Sequence, residues 1–117
     1  MTSSNPLYRK AVVTLERAGR DQNAPIWTTA AMLLGRARGT RVEVNLGHVS
    51  RMAGKGKAFF VPGKVLGTGV IEKGVVVGAF SFSDSARQKL EAAGGSALSV
   101  EEFLAKYPKG GGVILVQ

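Results

Sequence analysis

The stretch from 51 to 69, RMAGKGKAFFVPGKVLGTG, holds residue types that can either cradle a nucleotide phosphate or lie along a nucleic-acid backbone. A Walker-type phosphate loop needs a glycine, four residues, then Gly-Lys followed by Ser or Thr, because that hydroxyl holds the magnesium ion. Neither Gly56-Lys57 nor Gly63-Lys64 is followed by Ser or Thr, and the residues ahead of them do not read as a long buried strand. Gly63, Gly67 and Gly69 miss the dinucleotide-binding spacing, and no helix is expected after Gly69 to receive a pyrophosphate. His48, the single histidine, has no recognisable signature placing a carboxylate and a nucleophile beside it. A histidine among arginines contacts phosphate or faces solvent. The absence of cysteine excludes disulfides and thiolate metal sites, and one histidine does not make a zinc site. Glu101 and Glu102 open a helix, where carboxylates favour the positive end of its dipole. No catalytic residue, cofactor, metal or small-molecule substrate is expected.

The nucleic-acid reading makes better use of the same residues. Arg36, Arg38, Arg41, His48, Arg51, Lys55, Lys57 and Lys64 are interleaved with glycines at 35, 39, 47, 54, 56 and 63, and Arg9 and Lys10 lie ahead of them. Arginine and lysine supply charge and paired hydrogen bonds to phosphates, while glycine lets backbone amides approach closely. Residues 1–64 hold eleven Lys or Arg against three acidic residues, and residues 65–117 hold five of each sign, so the whole net charge of +8 lies in one half. That concentration fits a polyanion partner; the alternative is charge that merely maintains solubility. Six to ten phosphate contacts would weaken binding by about 10³–10⁵ between low and moderate salt. Phe59 and Phe60 could stack on unpaired bases, but strand alternation sends at least one, Phe60 by preference, into the core.

The elements that must position these residues follow from caps and periodicity. Asn5 as N-cap and Pro6 at the first helical position open a helix with Leu7, Ala11, Leu15 and Ala18 on its apolar stripe; Gly19 can close it in the left-handed conformation. Pro25 opens a shorter helix with Trp27 as a core anchor, stopped at Gly35. VEVNLG alternates as a strand, a turn of helix or a loop follows through 47–51, and AFFVPGKVLG reads as two extended pieces around a Pro62-Gly63 turn. VVVGAF is a buried strand, and Ser83 caps a helix ending at Gly94-Gly95. SAL is a short strand. Ser99 and Glu102 form a capping box, with Leu98 and Phe103 as a hydrophobic staple. Val113–Val116 is a final strand. With 117 residues and 44% apolar composition, this is one α/β domain, with 1–41 a helical basic part and 42–117 an α/β core. No apolar run approaches the ~20 residues of a membrane span, and MTSSNPLYRK has no signal-peptide pattern, so a cytoplasmic protein is expected.

EVNLGHVSR (43–51), FVPGKVLGTGVI (60–71) and VVVGAFSFSDSARQKLEAAGG (75–95) closely resemble the archaeal and eukaryotic large-subunit ribosomal proteins numbered eighteen-e, related to the C-terminal part of the bacterial protein numbered fifteen. The resemblance spans nearly the whole chain, from Asn5-Pro6 through Trp27 to Pro108-Lys109-Gly110. It implies a small α/β domain of short mixed strands with flanking helices, an irregular strand-strand-helix superhelix embedded in large-subunit ribosomal RNA beside neighbouring ribosomal proteins, and no enzymatic activity. Asn45 with Gly47, and Lys64 with Gly63, fall in the signature segments and are implied RNA contacts. The bacterial relative's glycine-rich basic N-terminal extension has no counterpart in this sequence, and Lys55-Gly56-Lys57 is more basic than the usual run before VPGKVLG. The expectation is thus a large-subunit protein in the cytoplasmic ribosome that stabilises ribosomal RNA through its basic half. The 51–69 stretch would serve as an RNA-facing arm, and the neutral half would supply most of the core. The alternative is a free-standing chromatin or RNA-chaperone module.

Overall fold

The structure, a computed structural model, describes residues 6–36, 41–52, 56 and 58–117. In chain order the elements are α1 (Pro6–Asp21), α2 (Pro25–Leu34), β1 (Val42–Asn45), α3 (Leu46–Arg51), β2 (Ala58–Leu66), β3 (Val76–Phe82), α4 (Asp84–Ala92), β4 (Ser96–Leu98), α5 (Val100–Lys106) and β5 (Val113–Leu115). The expected short mixed strands form one five-stranded α/β sheet, β1-β2-β3-β4, in which β5 also pairs with β2 and every described pairing is parallel. Parallel strands are covered on both faces, which is why β2 begins with a near-continuous apolar run.

β2 organises the molecule. Its first half, Ala58–Phe60, pairs with β5, and its second half, Gly63–Leu66, pairs with β1, so two short strands share one edge of it end to end. Pro62 falls at the handover, and the register with β3 shifts between Val61 and Lys64. A proline has no N–H for a ladder, so it is tolerated at such an irregularity. The Pro62-Gly63 turn expected from the sequence is therefore corrected to a bulge inside one continuous strand. The residues before Gly63 do form a buried strand, contrary to expectation. That strand runs on through Lys64 without turning into a helix, so the phosphate-loop geometry is still missing.

Alternate residues of β2 enter two cores. Phe59, Val61 and Val65 join Val42, Val44, Val77 and Ala79 beneath Leu46 and Val49 of α3 and Ala86 and Leu90 of α4. Ala58 and Phe60 join Ala11 and Leu15 of α1, Trp27, Ala30, Ala31 and Leu34 of α2, and Val100 and Phe103 of α5. Phe59 and Phe60 are both fully buried, on opposite faces, so neither stacks on a base. Trp27 meets Phe60 and Phe103 edge-on at 5.3 and 6.0 Å, and its indole N–H donates to the Pro108 carbonyl at 2.9 Å. Much of the rigid core thus comes from the basic half, which corrects the assignment of most of it to the neutral half.

The local signals of the later helices hold. The Ser83 hydroxyl accepts from the Ala86 N–H at 3.2 Å, and Ser99 and Glu102 close a capping box at 2.9 and 3.2 Å. Gly94 takes φ 71° after α4. α1 departs from expectation at both ends. It runs past Gly19 to Asp21, and Asn23 takes the left-handed conformation at φ 50°. Gly19 is buried where a Cβ would collide with Thr28, so it serves close packing of α2. Leu7 is 64% exposed, whereas Tyr8 stacks on Phe80 with ring centroids 3.9 Å apart. The Asn5 cap lies outside the described residues.

Candidate nucleic-acid interface

The basic residues are sorted by where the helices stop. Strand alternation places Glu43 and Asn45 on the face of β1 opposite the buried Val42 and Val44, and puts Lys64 on the matching face of β2. All three are exposed, and Glu43 lies directly opposite Lys64 in the register. Before Pro62 the same face is closed by α1, α2 and α5; beyond it the sheet is open. Lys64 thus lies in water, with Glu43 opposite it on the next strand.

Arg41, immediately ahead of β1, continues this face toward α1. Its guanidinium lies 3.6 Å above the Tyr8 ring centroid, and Phe80 stacks on Tyr8 at an interplanar angle of 23°. Two groups at van der Waals distance cannot share one ring face, so Tyr8 is held between them. Arg9, adjacent on α1, and the exposed Arg36, just past the end of α2, extend the basic surface at this end. From Arg41 to Asn45 the distance is roughly 13 Å at about 3.3 Å per residue, enough to track successive phosphates.

Other predicted site residues are not part of this surface. Lys10 turns toward α5, with its ammonium 3.9 Å from Glu101. His48 and Arg51 sit on α3, whose Leu46 and Val49 bury against the other face of the sheet, so they belong to the opposite layer. Arg38, Lys55 and Lys57 lie outside the described residues. The 51–69 stretch is not an arm over its described length, because 58–66 is the central strand and only Lys64 within it is exposed.

Two signature glycines serve the fold. Gly63 is buried where a Cβ would collide with the Val42 carbonyl, so a side chain there would push β1 off β2. Gly47 lies against the backbone of Gly69, whose φ is 99°. Tyr8 is the residue that sequence reasoning missed. The spacing 8, 12, 15, 19 is as helical as the stripe beginning at Leu7, and an aromatic beside Arg9 was the available signal.

A family model that groups the 50S ribosomal proteins L15 and L18e with their 60S counterpart matches residues 34–98. The chain belongs to this family. The matched region runs from the end of α2 through β4 and includes Arg36, Arg41, Asn45, His48, Arg51 and Lys64. Similarity to individual family members extends further. The chain is 40% identical to the large ribosomal subunit protein eL18 of Methanococcus maripaludis, covering 97% of this chain and 95% of that one. It is 41% identical to the eL18 of Methanospirillum hungatei over 92% and 88% of the two chains, and 36% identical to that of Halobacterium salinarum over the full length of both. The resemblance carried by EVNLG and VPGKVLG therefore extends to α1 and β5, which the family model does not span.

Proposed function

We propose that this protein is a structural constituent of the large ribosomal subunit in the cytoplasmic ribosome, binding ribosomal RNA beside neighbouring ribosomal proteins and performing no reaction. The observation that carries this reading is near-full-length similarity to proteins named as large-subunit components. Its RNA-facing surface is the open sheet face and adjoining helix ends, with Arg9, Arg36, Arg41, Asn45 and Lys64. Arginine and lysine neutralise phosphates and release counterions, while Asn45 offers donors and an acceptor to riboses. His48 and Arg51 on the opposite layer would meet a second RNA segment. Lys10, turned toward Glu101, contributes least.

Sucrose-gradient co-sedimentation tests the reading. The protein is expected to travel near-stoichiometrically with large subunits at moderate salt, and the triple variant Arg36→Glu, Arg41→Glu, Lys64→Glu to dissociate while keeping its circular-dichroism spectrum. Each lost phosphate contact should flatten the dependence of log affinity on log salt by about 0.7–0.9. Unchanged co-sedimentation of a folded variant would refute the assigned surface. A free-standing chromatin or RNA-chaperone module would bind nucleic acid yet remain at the top of the gradient.

A further inference from the structure

Between the first half of α1, the end of α2 and the approach to β1 lies a cleft of about 310 Å³, lined by Tyr8, Arg9, Val12, Val13, Leu34 and Gly35, with Arg41 completing it. Its chemistry is sharply divided. Val12, Val13 and Leu34 form an apolar wall, Arg9 and Arg41 supply two positive charges, and no carboxylate lines it among the described residues. The Arg41 guanidinium is held flat by Tyr8, which is itself stacked on Phe80. Its Nε is hidden from solvent and has no hydrogen-bond partner among the described residues.

We propose that this cleft receives one unpaired nucleotide of ribosomal RNA. Its base lies against the apolar wall of Val12 and Val13, backed by the buried Leu34, and its phosphate oxygens accept from the terminal guanidinium N–H groups of Arg41 and from Arg9. The inference rests on the ribosomal RNA reading above and specifies a subsite within it. Three features select this occupant. The volume stands at the lower end of small-ligand pockets, about 300–1,000 Å³, which suits a single nucleotide and excludes a helix. The paired arginines demand an anion. An apolar wall beside them fits an unstacked base, the form in which single-stranded RNA is read by proteins. The open sheet face with Lys64 and Asn45 then receives the flanking backbone.

The test uses the full ¹⁵N-labelled chain titrated with a nucleoside monophosphate, ribose 5-phosphate, inorganic phosphate, a short single-stranded oligoribonucleotide and a polyglutamate peptide. Saturable amide shifts at Tyr8, Val12, Val13, Leu34 and Gly35 are expected with the monophosphate, with affinity at least fivefold weaker for ribose 5-phosphate. The oligonucleotide should bind at least tenfold more tightly than the monophosphate. Val13→Trp, which fills the cleft from an exposed position, and Arg41→Lys, which keeps the charge but removes the planar donors, should each abolish these shifts while preserving the dispersed spectrum. Four results would overturn the inference. The wild-type chain could show no shift at these residues. Phosphate could do as well as nucleotide. The free monophosphate could bind more tightly than the oligonucleotide, marking a metabolite site. Polyglutamate could compete as well as RNA, marking an acidic protein segment. Co-sedimentation of the same preparation with large subunits separates the two levels. A chain that co-sediments without the shifts refutes the cleft alone; one that does not co-sediment refutes the ribosomal reading.

Discussion

The two faces of the sheet differ in how far their helices reach. On one, α3 and α4 cover residues from both halves of β2, from Phe59 and Val61 to Val65, together with Val42 and Val44 of β1. On the other, α1, α2 and α5 close over Ala58 and Phe60 and stop at the level of Pro62, leaving Glu43, Asn45 and Lys64 in solvent. Neighbouring residues of one strand therefore live in opposite environments. The difference separates a face covered along both halves of β2 from one that leaves polar side chains in solvent, since a charged group stays hydrated only where no helix removes its water.

The sharpest way to break this comparison is to exchange chemistry between Lys64 and its fully buried neighbour Val65. Val65→Lys should cost about 4 kcal/mol or more by placing an unpaired charge in the core, whereas Lys64→Val should shift stability by no more than about 0.5 kcal/mol. Urea melts of the two variants measure this, and similar midpoints would contradict the open face. Gly63→Ala comes next. The added methyl would strike the Val42 carbonyl, and displacing β1 should cost about 2–3 kcal/mol; a melt indistinguishable from wild type would show that β1 can yield freely.

The capping box on the closed side predicts a smaller effect. Ser99→Ala should cost about 1 kcal/mol by chemical denaturation. The Ser99 backbone N–H, and secondarily its side chain, hold the Glu102 carboxyl below its ordinary pKa. A depressed folded pKa means the contribution is present above the ordinary carboxylate range and is lost as pH falls through the lowered value. The thermal-stability gap between wild type and Glu102→Ala should therefore be widest near neutrality and close on acidification; a constant gap would contradict the assignment. Smallest of all is Lys10→Ala. Its 3.9 Å pair with Glu101 joins two largely exposed side chains and should contribute less than about 0.5 kcal/mol. A larger loss would mean that α1 is clamped to α5 by charge more than by Ala11 and Leu15.

Legibility in the sequence followed the range of the interaction. The capping box at Ser99–Glu102, the cap at Ser83, the alternating β1 and the burial of Trp27 were all readable, because each is decided by residues within one turn or by a large apolar side chain among apolar neighbours. The candidate site was legible as a composition and not as a place. Arg36, Arg41 and Lys64 could be named, but Lys10 and His48 looked equivalent to them, and Tyr8 was not named at all. Pro62-Gly63 misled for the same reason. A turn and a bulge use the same dipeptide, and only the change of partner from β5 to β1 distinguishes them.

By itself, the sequence determined the caps of the later helices, the alternation of β1, the confinement of net charge to residues 1–64 and the family, since hydrogen-bonded caps, hydrophobic period and signature phrases are written in contiguous residues. The tertiary structure alone decided that β2 is central, that helices on one face end at Pro62, and that Arg41 lies flat on Tyr8 instead of projecting freely. Those outcomes depend on contacts between distant residues, as when the Trp27 indole finds the Pro108 carbonyl, and local chemistry cannot choose among such partners before the chain has packed.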